Sequence, residues 1–154
     1  MDDDGMSAMV DAARHERVEE WQGLMSVALD LSADKDESDN HKAHDDVANR
    51  RFIVKSLEYT PLIYAIEYGG SDDIVEKLIK RRADVTAKVD HGLTAIHTAA
   101  MTGRTNIVNM LLETNSSLVG VADGDNDTPL LCAAKNNHIE TVKKLFEHVV
   151  SRER

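Results

Sequence analysis

The chain is poor in almost everything that staples or stiffens a small protein. It has one cysteine, Cys132, and two prolines in 154 residues, so no internal disulfide can form. None is required, because a chain of this length buries roughly 68–70% of its unfolded surface in an ordinary core. Aromatic residues make up only 4%. No apolar run approaches the roughly 18 residues that would cross a bilayer. Positive charge is scarce as well: 18 Lys and Arg stand against 28 Asp and Glu, a net charge of −10. That balance repels nucleic-acid phosphates and anionic lipid, so neither is an expected partner. The lone thiol and the acidic stretch from Met1 to Met6, which lacks a basic n-region and apolar h-region, predict a reducing location, the cytoplasm or the nucleus. The charge is uneven. Residues 1–50 hold 14 acidic and 5 basic side chains, and the rest of the chain is nearly neutral.

What is present is periodicity. Three segments align: Thr60-Pro61-Leu62-Ile63-Tyr64-Ala65-Ile66, Thr94-Ala95-Ile96-His97-Thr98-Ala99-Ala100 and Thr128-Pro129-Leu130-Leu131-Cys132-Ala133-Ala134, with the threonines 34 residues apart each time. Each is followed by a second apolar set at helical spacing: Ile74, Val75, Leu78, Ile79; Ile107, Val108, Leu111, Leu112; Val142, Leu145, Phe146. Two short helices per period are predicted. Thr offers its hydroxyl to an orphan N–H of the first turn, and Pro at the first helical position sacrifices no hydrogen bond. The Ala99-Ala100 and Ala133-Ala134 pairs allow close helix approach. Gly69 and Gly103 supply the turn into the second helix, and Asn137 stands in the same place in the last unit.

These residues resemble the ankyrin repeat, a unit of about 33 residues with a β-turn, a T-P-L-H helix start and two antiparallel helices. Asp90 to Leu112 is the fullest match, with Gly92, Thr94, His97, Ala99-Ala100, Gly103, Ile107-Val108 and Leu111-Leu112 at the family's offsets. Arg82 to Ala87 is similar to the family's hairpin, and Asn115 to Asp123 to a variant of it. Upstream, Ala12-Ala13-Arg14 through Trp21 to Met25 resembles an amino-terminal capping repeat, with Glu16 at the turn glycine and Trp21 at a core valine. The resemblance implies an all-α solenoid of stacked helix-turn-helix units joined by β-hairpin loops. A single domain is expected, with a capping repeat at 7–30, an acidic polar insertion at 31–51, repeats at 52–89 and 90–122, and a carboxy-terminal capping repeat at 123–154. The insertion carries too few apolar side chains to offset its ordering entropy and is predicted to be a solvated loop.

Candidate chemistry is thin, and the repeat accounts for most of it. His41, His44, Asp45 and Asp46 offer metal-ligand types without a spacing that fixes geometry. Asp123-Gly124-Asp125-Asn126-Asp127 begins like a calcium loop, but position twelve is Ala134 and the central glycine is missing. Cys132 falls on an inward-facing helical position, where a thiol behaves as a small hydrophobe. The resemblance makes His97 a tie between neighbouring hairpins rather than a catalyst. Trp21 is expected to pack against the second repeat. No cofactor, metal or catalytic residue is assigned.

In the family, partners meet the variable hairpin positions and the two residues after the Ala-Ala pair. Carried over by position, these are Arg14 and His15; Ser56, Leu57, Tyr59, Glu67 and Tyr68; Asp90, His91, Leu93, Met101 and Thr102; and Gly124, Asp125, Asp127, Lys135 and Asn136. Of these, Tyr59, Glu67, Tyr68, Asp90, His91, Leu93, Met101, Thr102, Asp125, Asp127, Lys135 and Asn136 form the candidate partner site. Tyr59, Tyr68, Leu93 and Met101 are read as its apolar centre. The expected function is a protein-interaction module, an adaptor or inhibitor that is monomeric when free and takes a protein or peptide. Two alternatives are a structural segment of a larger repeat protein, which exposed apolar residues along Ile139, Val142 and Val149 would favour, and an enzyme using Cys132 or His41 and His44.

Overall fold

The computed structural model describes residues 3–31, 47–68 and 71–152. Of the acidic insertion expected at 31–51, residues 32–46, His41 and His44 among them, lie outside the described residues, as does Gly69. The chain divides into two compact units, Met1–Asp84 and Val85–Arg154. No described helix is long and apolar enough to cross a membrane.

In the first unit, helices α1 (Asp3–Arg14) and α2 (Val18–Leu31) form a pair. The turn between them runs through Glu16 at φ 58°, a left-handed conformation in the place where glycine usually stands. A short 3₁₀ turn, Val47–Asn49, precedes a hairpin of β1 (Phe52–Val54) and β2 (Leu57–Tyr59). Phe52 pairs with Tyr59 across it, and the turn residues Lys55 and Ser56 both have positive φ, which suits the twist of a two-residue loop. Asn49 ties down the segment that closes the second repeat's second helix: its amide donates to the Arg82 carbonyl (3.2 Å) and its oxygen accepts from the Asp84 N–H (2.6 Å).

Helix α3 (Pro61–Glu67) starts as predicted, with the Thr60 hydroxyl accepting from the Ile63 N–H at 3.2 Å and Pro61 in the first turn. Helix α4 (Asp72–Lys80) is capped by Ser71, with Asp72 and Asp73 in its first turn and Lys77 and Lys80 in its last, matching the helix dipole. The basic cluster on α4 faces its own helix's carboxylates: Lys77 meets Asp73 (3.5 Å) and Lys80 meets Glu76 (3.0 Å). Trp21 is buried against Tyr64, ring centroids 4.8 Å apart, as its place in the repeat predicted. The Tyr64 hydroxyl donates to the Ala13 carbonyl at 3.1 Å, so one side chain fastens the first repeat to the second by both packing and a buried hydrogen bond.

The second unit holds α5 (Ala95–Thr102), α6 (Thr105–Thr114), α7 (Pro129–Lys135) and α8 (Ile139–Arg152). Gly103 and Asn137 take φ 73° and φ 60° between the helices of each pair, as the sequence required. Thr105 and Thr141 hydroxyls meet at 2.8 Å, joining α6 to α8. One connection differs from expectation. Asn115 to Asp123 is not a hairpin; Ser116–Gly120 is a 3₁₀ helix, started by the Asn115 side chain accepting from the Ser117 N–H at 3.1 Å. Leu118 and Val119 are both buried, and adjacent side chains can both point inward from a helical turn but not from an extended strand.

Candidate partner-binding groove

The local geometry of the second unit is organised by His97. Its Nδ1 accepts from the Thr94 N–H (3.2 Å) and lies 2.9 Å from the Thr94 hydroxyl, while Nε2 faces the carbonyls of Val121 (2.9 Å) and Asp127 (3.2 Å). This set of partners assigns the proton to Nε2. Burial pushes the imidazole pKa below its usual 6.5, outweighing the two carbonyl acceptors, so the ring is neutral and fully engaged. His97 is a tie between α5 and the loop before α7, with no free nitrogen for acid–base work.

That loop is a compact acidic turn. The Asp123 carboxylate accepts from the N–H groups of Asp125 and Asp127, both at 2.9 Å, and the Asp123 N–H donates to the Asp127 carbonyl. Desolvation opposes ionisation of Asp123, but these two donors win and hold its pKa below the ordinary value. The turn is docked on the preceding one by the Gly124 N–H, which donates to the His91 carbonyl at 2.7 Å. Gly124 must be glycine for this approach, since a Cβ would sit 2.6 Å from that carbonyl oxygen.

Together these turns and helices enclose a groove of about 370 Å³, lined by His91, Leu93, Met101, Asp123, Asp125, Asp127, Cys132, Lys135 and Asn136. Seven of these are candidate residues chosen from the repeat register. Met101 (40% exposed) and the half-buried Leu93 give it an apolar side. Asp123, Asp125 and Asp127 form an acidic wall, with the Lys135 ammonium paired to Asp127. Register reasoning missed two lining residues, Asp123 and Cys132. Cys132 was legible, because it stands three and four positions before Lys135 and Asn136 on one helical face.

The thiol of Cys132 is pushed up to about 11, first by burial and then by the charges of Asp123 and Asp127, so it is protonated at neutral pH and a poor nucleophile. The ligand atoms of Asp123, Asp127 and Cys132 lie within 4.8 Å of one another, which makes them the described trio that could reach a metal ion. Asp123 is already committed to two backbone donors and Asp127 to Lys135, so as it stands the trio is the groove's polar wall.

The other candidates fall elsewhere. Thr102 is exposed, but its hydroxyl is turned back onto the Thr98 carbonyl (2.8 Å), and Asp90 lies in the turn before α5 without lining the groove. Tyr59, Glu67 and Tyr68 belong to the first unit. Tyr59 is a correction: read from sequence as part of the partner site's apolar centre, it is only 3% exposed. Its ring packs edge-on to Tyr64 (5.6 Å) and beside Phe52 (6.2 Å), because the hairpin turns both Phe52 and Tyr59 inward. Tyr68 is half-buried and stacked on Tyr64 at 4.5 Å; its hydroxyl lies 3.4 Å from that of Tyr59. Glu67 is exposed.

Comparison with known proteins agrees with this architecture. A family profile described as ankyrin repeats (3 copies) matches residues 62–152. Alpha-latrocrustotoxin-Lt1a of Latrodectus tredecimguttatus is 38% identical over 88 residues, 57% of this chain and 6% of that protein. Protein fem-1 homolog A-like of Mus musculus is 33% identical over 113 residues, 73% of this chain and 16% of its own length. BCL-6 corepressor-like protein 1 of Homo sapiens is 32% identical over 101 residues, covering 66% and 6% respectively. The chain thus spans only a small part of each of these relatives. Ankyrin repeats serve as protein-interaction modules and are typically not catalytic. With two helical pairs in each unit, a His97 tie at the expected offset and a profile match over most of the chain, the protein belongs to the ankyrin-repeat family.

Proposed function

We propose that this chain works as an adaptor or inhibitor that binds another protein or peptide in the groove of its second unit. The observation that carries this reading is the convergence of seven register-derived residues, from two successive turns and two first helices, on one groove. Its apolar side, Leu93 and Met101, suits a single aliphatic or aromatic anchor. The acidic wall of Asp123, Asp125 and Asp127 suits a basic residue beside that anchor, and interfaces concentrate energy in such a centre-and-rim arrangement. The net charge of −10 supports a protein rather than a nucleic-acid partner. Cytoplasm or nucleus fits the free thiol.

The test is affinity capture with the intact chain beside Met101→Arg and Asp125→Lys, each confirmed folded by thermal unfolding. A protein retained by the wild type and lost with both variants supports the groove. Equal retention by all three would move the binding face elsewhere. A second reading, a segment of a longer repeat stack, is favoured by the exposure of Ile139 on α8, with Val142 and Val149 half-buried; a melting temperature raised by fusing one further ankyrin repeat after Arg154, with the rise abolished by Ile139→Lys, would support it.

A further inference from the structure

The acidic turn and the helix after it bring three metal-ligand side chains to one point. Asp123 and Asp127 stand on the turn and Cys132 on α7, and their ligand atoms lie within 4.8 Å of one another. Spaced by four and five residues, they lie outside the calcium-loop pattern that fails at Ala134. Cys132 is the informative member. It is 5% exposed, and its thiol makes no hydrogen bond among the described residues although it lines the groove. Against hydrocarbon such a thiol is a small hydrophobe. Here the sulfur faces two carboxylates instead. Burial first, and those carboxylates second, hold it protonated while no cation is present. A divalent ion reverses that electrostatic logic: it neutralises the carboxylates and displaces the thiol proton to solvent.

Each carboxylate keeps an oxygen for an ion. Asp123 takes both backbone N–H groups on Oδ1, which leaves Oδ2. Those donors also fix the carboxylate, as outer hydrogen bonds do for metal-ligating groups. Asp127 meets Lys135 through Oδ2, which leaves Oδ1; the Lys135 side chain is 62% exposed, so the pair is screened and exchangeable. A tetrahedral ion with ordinary Zn–S and Zn–O bonds holds its ligand atoms about 3.5 Å apart, a contraction that rotation of the two carboxylates supplies. One sulfur and two oxygens select a borderline ion. Calcium and magnesium take oxygen alone and in larger number, whereas zinc accepts thiolate and carboxylate together.

We propose that Asp123, Asp127 and Cys132 form a zinc-binding site in the wall of the groove, holding a single ion whose fourth position is open to water or a ligand. This adds a metal where the sequence reading assigned none. Bound there, zinc cancels the charge of the wall and takes the place of Lys135 at Asp127. With the groove as the partner site, the ion and a basic partner residue compete for one position; that consequence rests on the function proposed above, whereas the metal site does not.

Cadmium titration of the reduced whole chain tests it, because Cys132 is the only cysteine and a thiolate-to-cadmium absorption band can come from no other residue. A band that saturates at one ion per chain and is removed by competing zinc is expected. Cys132→Ser should abolish it. Asp123→Asn, which keeps an acceptor for the turn's two N–H groups, and Asp127→Asn should each weaken binding about tenfold or more, while Lys135→Met should tighten it. His41→Ala with His44→Ala should leave the band in place, as should Met101→Arg, which probes the groove as a partner site and so separates the two readings. A wild type that shows no band at millimolar cadmium overturns the proposal. So does a band that both asparagine variants leave unchanged, which reduces the metal to an adventitious ion on the thiol. Metal bound without the band, and lost with His41→Ala and His44→Ala, also overturns it and assigns the ion to that segment.

Discussion

The two compact units use the same repeat and finish its hairpin side in opposite ways. In the first, nearly all the aromatic residues of the chain are gathered: Phe52, Tyr59, Tyr64 and Tyr68 pack on one another and on Trp21, with centroid separations from 4.5 to 6.2 Å. In the second, Leu93, Thr98 and Thr102 stand 34 residues after Tyr59, Tyr64 and Tyr68, and a groove of about 370 Å³ stands there. Large planar side chains fill the space between turn and first helix, whereas small and flexible ones leave it open. The distribution of six aromatic residues thus decides which unit is packed here and which keeps an open groove.

The sharpest way to break this contrast is Tyr64→Ala, which removes the ring shared by Trp21, Phe52, Tyr59 and Tyr68 together with the hydrogen bond to Ala13. A loss of about 3–5 kcal/mol is expected, seen as accelerated hydrogen exchange across α1 to α4. His97→Ala is the counterpart in the second unit. It leaves the Thr94 N–H and the Val121 and Asp127 carbonyls without that partner and should cost about 2 kcal/mol or more, read from exchange in α5 and α7.

The same residue makes stability depend on pH. Because His97 has a folded-state pKa below 6.5, the unfolded chain binds the proton more readily, so its contribution is complete above 6.5 and declines as pH falls from there through the lowered value. Melting temperatures between pH 7.5 and 5.5 should fall less in His97→Gln than in the wild type.

Met101→Arg should change stability by no more than about 0.5 kcal/mol while costing a groove ligand about 2 kcal/mol, measured by calorimetry against any partner recovered. The smallest effect is expected at Asn137→Gly. Relief of a left-handed asparagine should add roughly 0.5 kcal/mol, bringing this turn level with the one at Gly103.

Much of the fold was legible because ankyrin repeats are written in local chemistry. Thr-Pro caps, Ala pairs and turn residues act within one turn of helix, and Thr60, Thr128, Gly103 and Asn137 each do what their type predicts. Most of the groove was legible for the same reason, since seven of its nine lining residues follow from register alone. Tyr59 was not. Its register position is variable in the family, and only the hairpin pairing with Phe52 shows that it turns inward. The Asn115–Gly120 segment was misread because its two adjacent apolar residues are compatible with a loop until neighbouring helices demand that both be buried.

By itself, the sequence determined the repeat, its helix starts and its turns, because each depends on residues near one another in the chain. Only the tertiary structure decided which apolar residues face water. Leu112 and Phe146 hold the same place in successive repeats, yet one is covered and the other is exposed. Burial depends on what packs against a residue from elsewhere in the chain, and no local spacing encodes that.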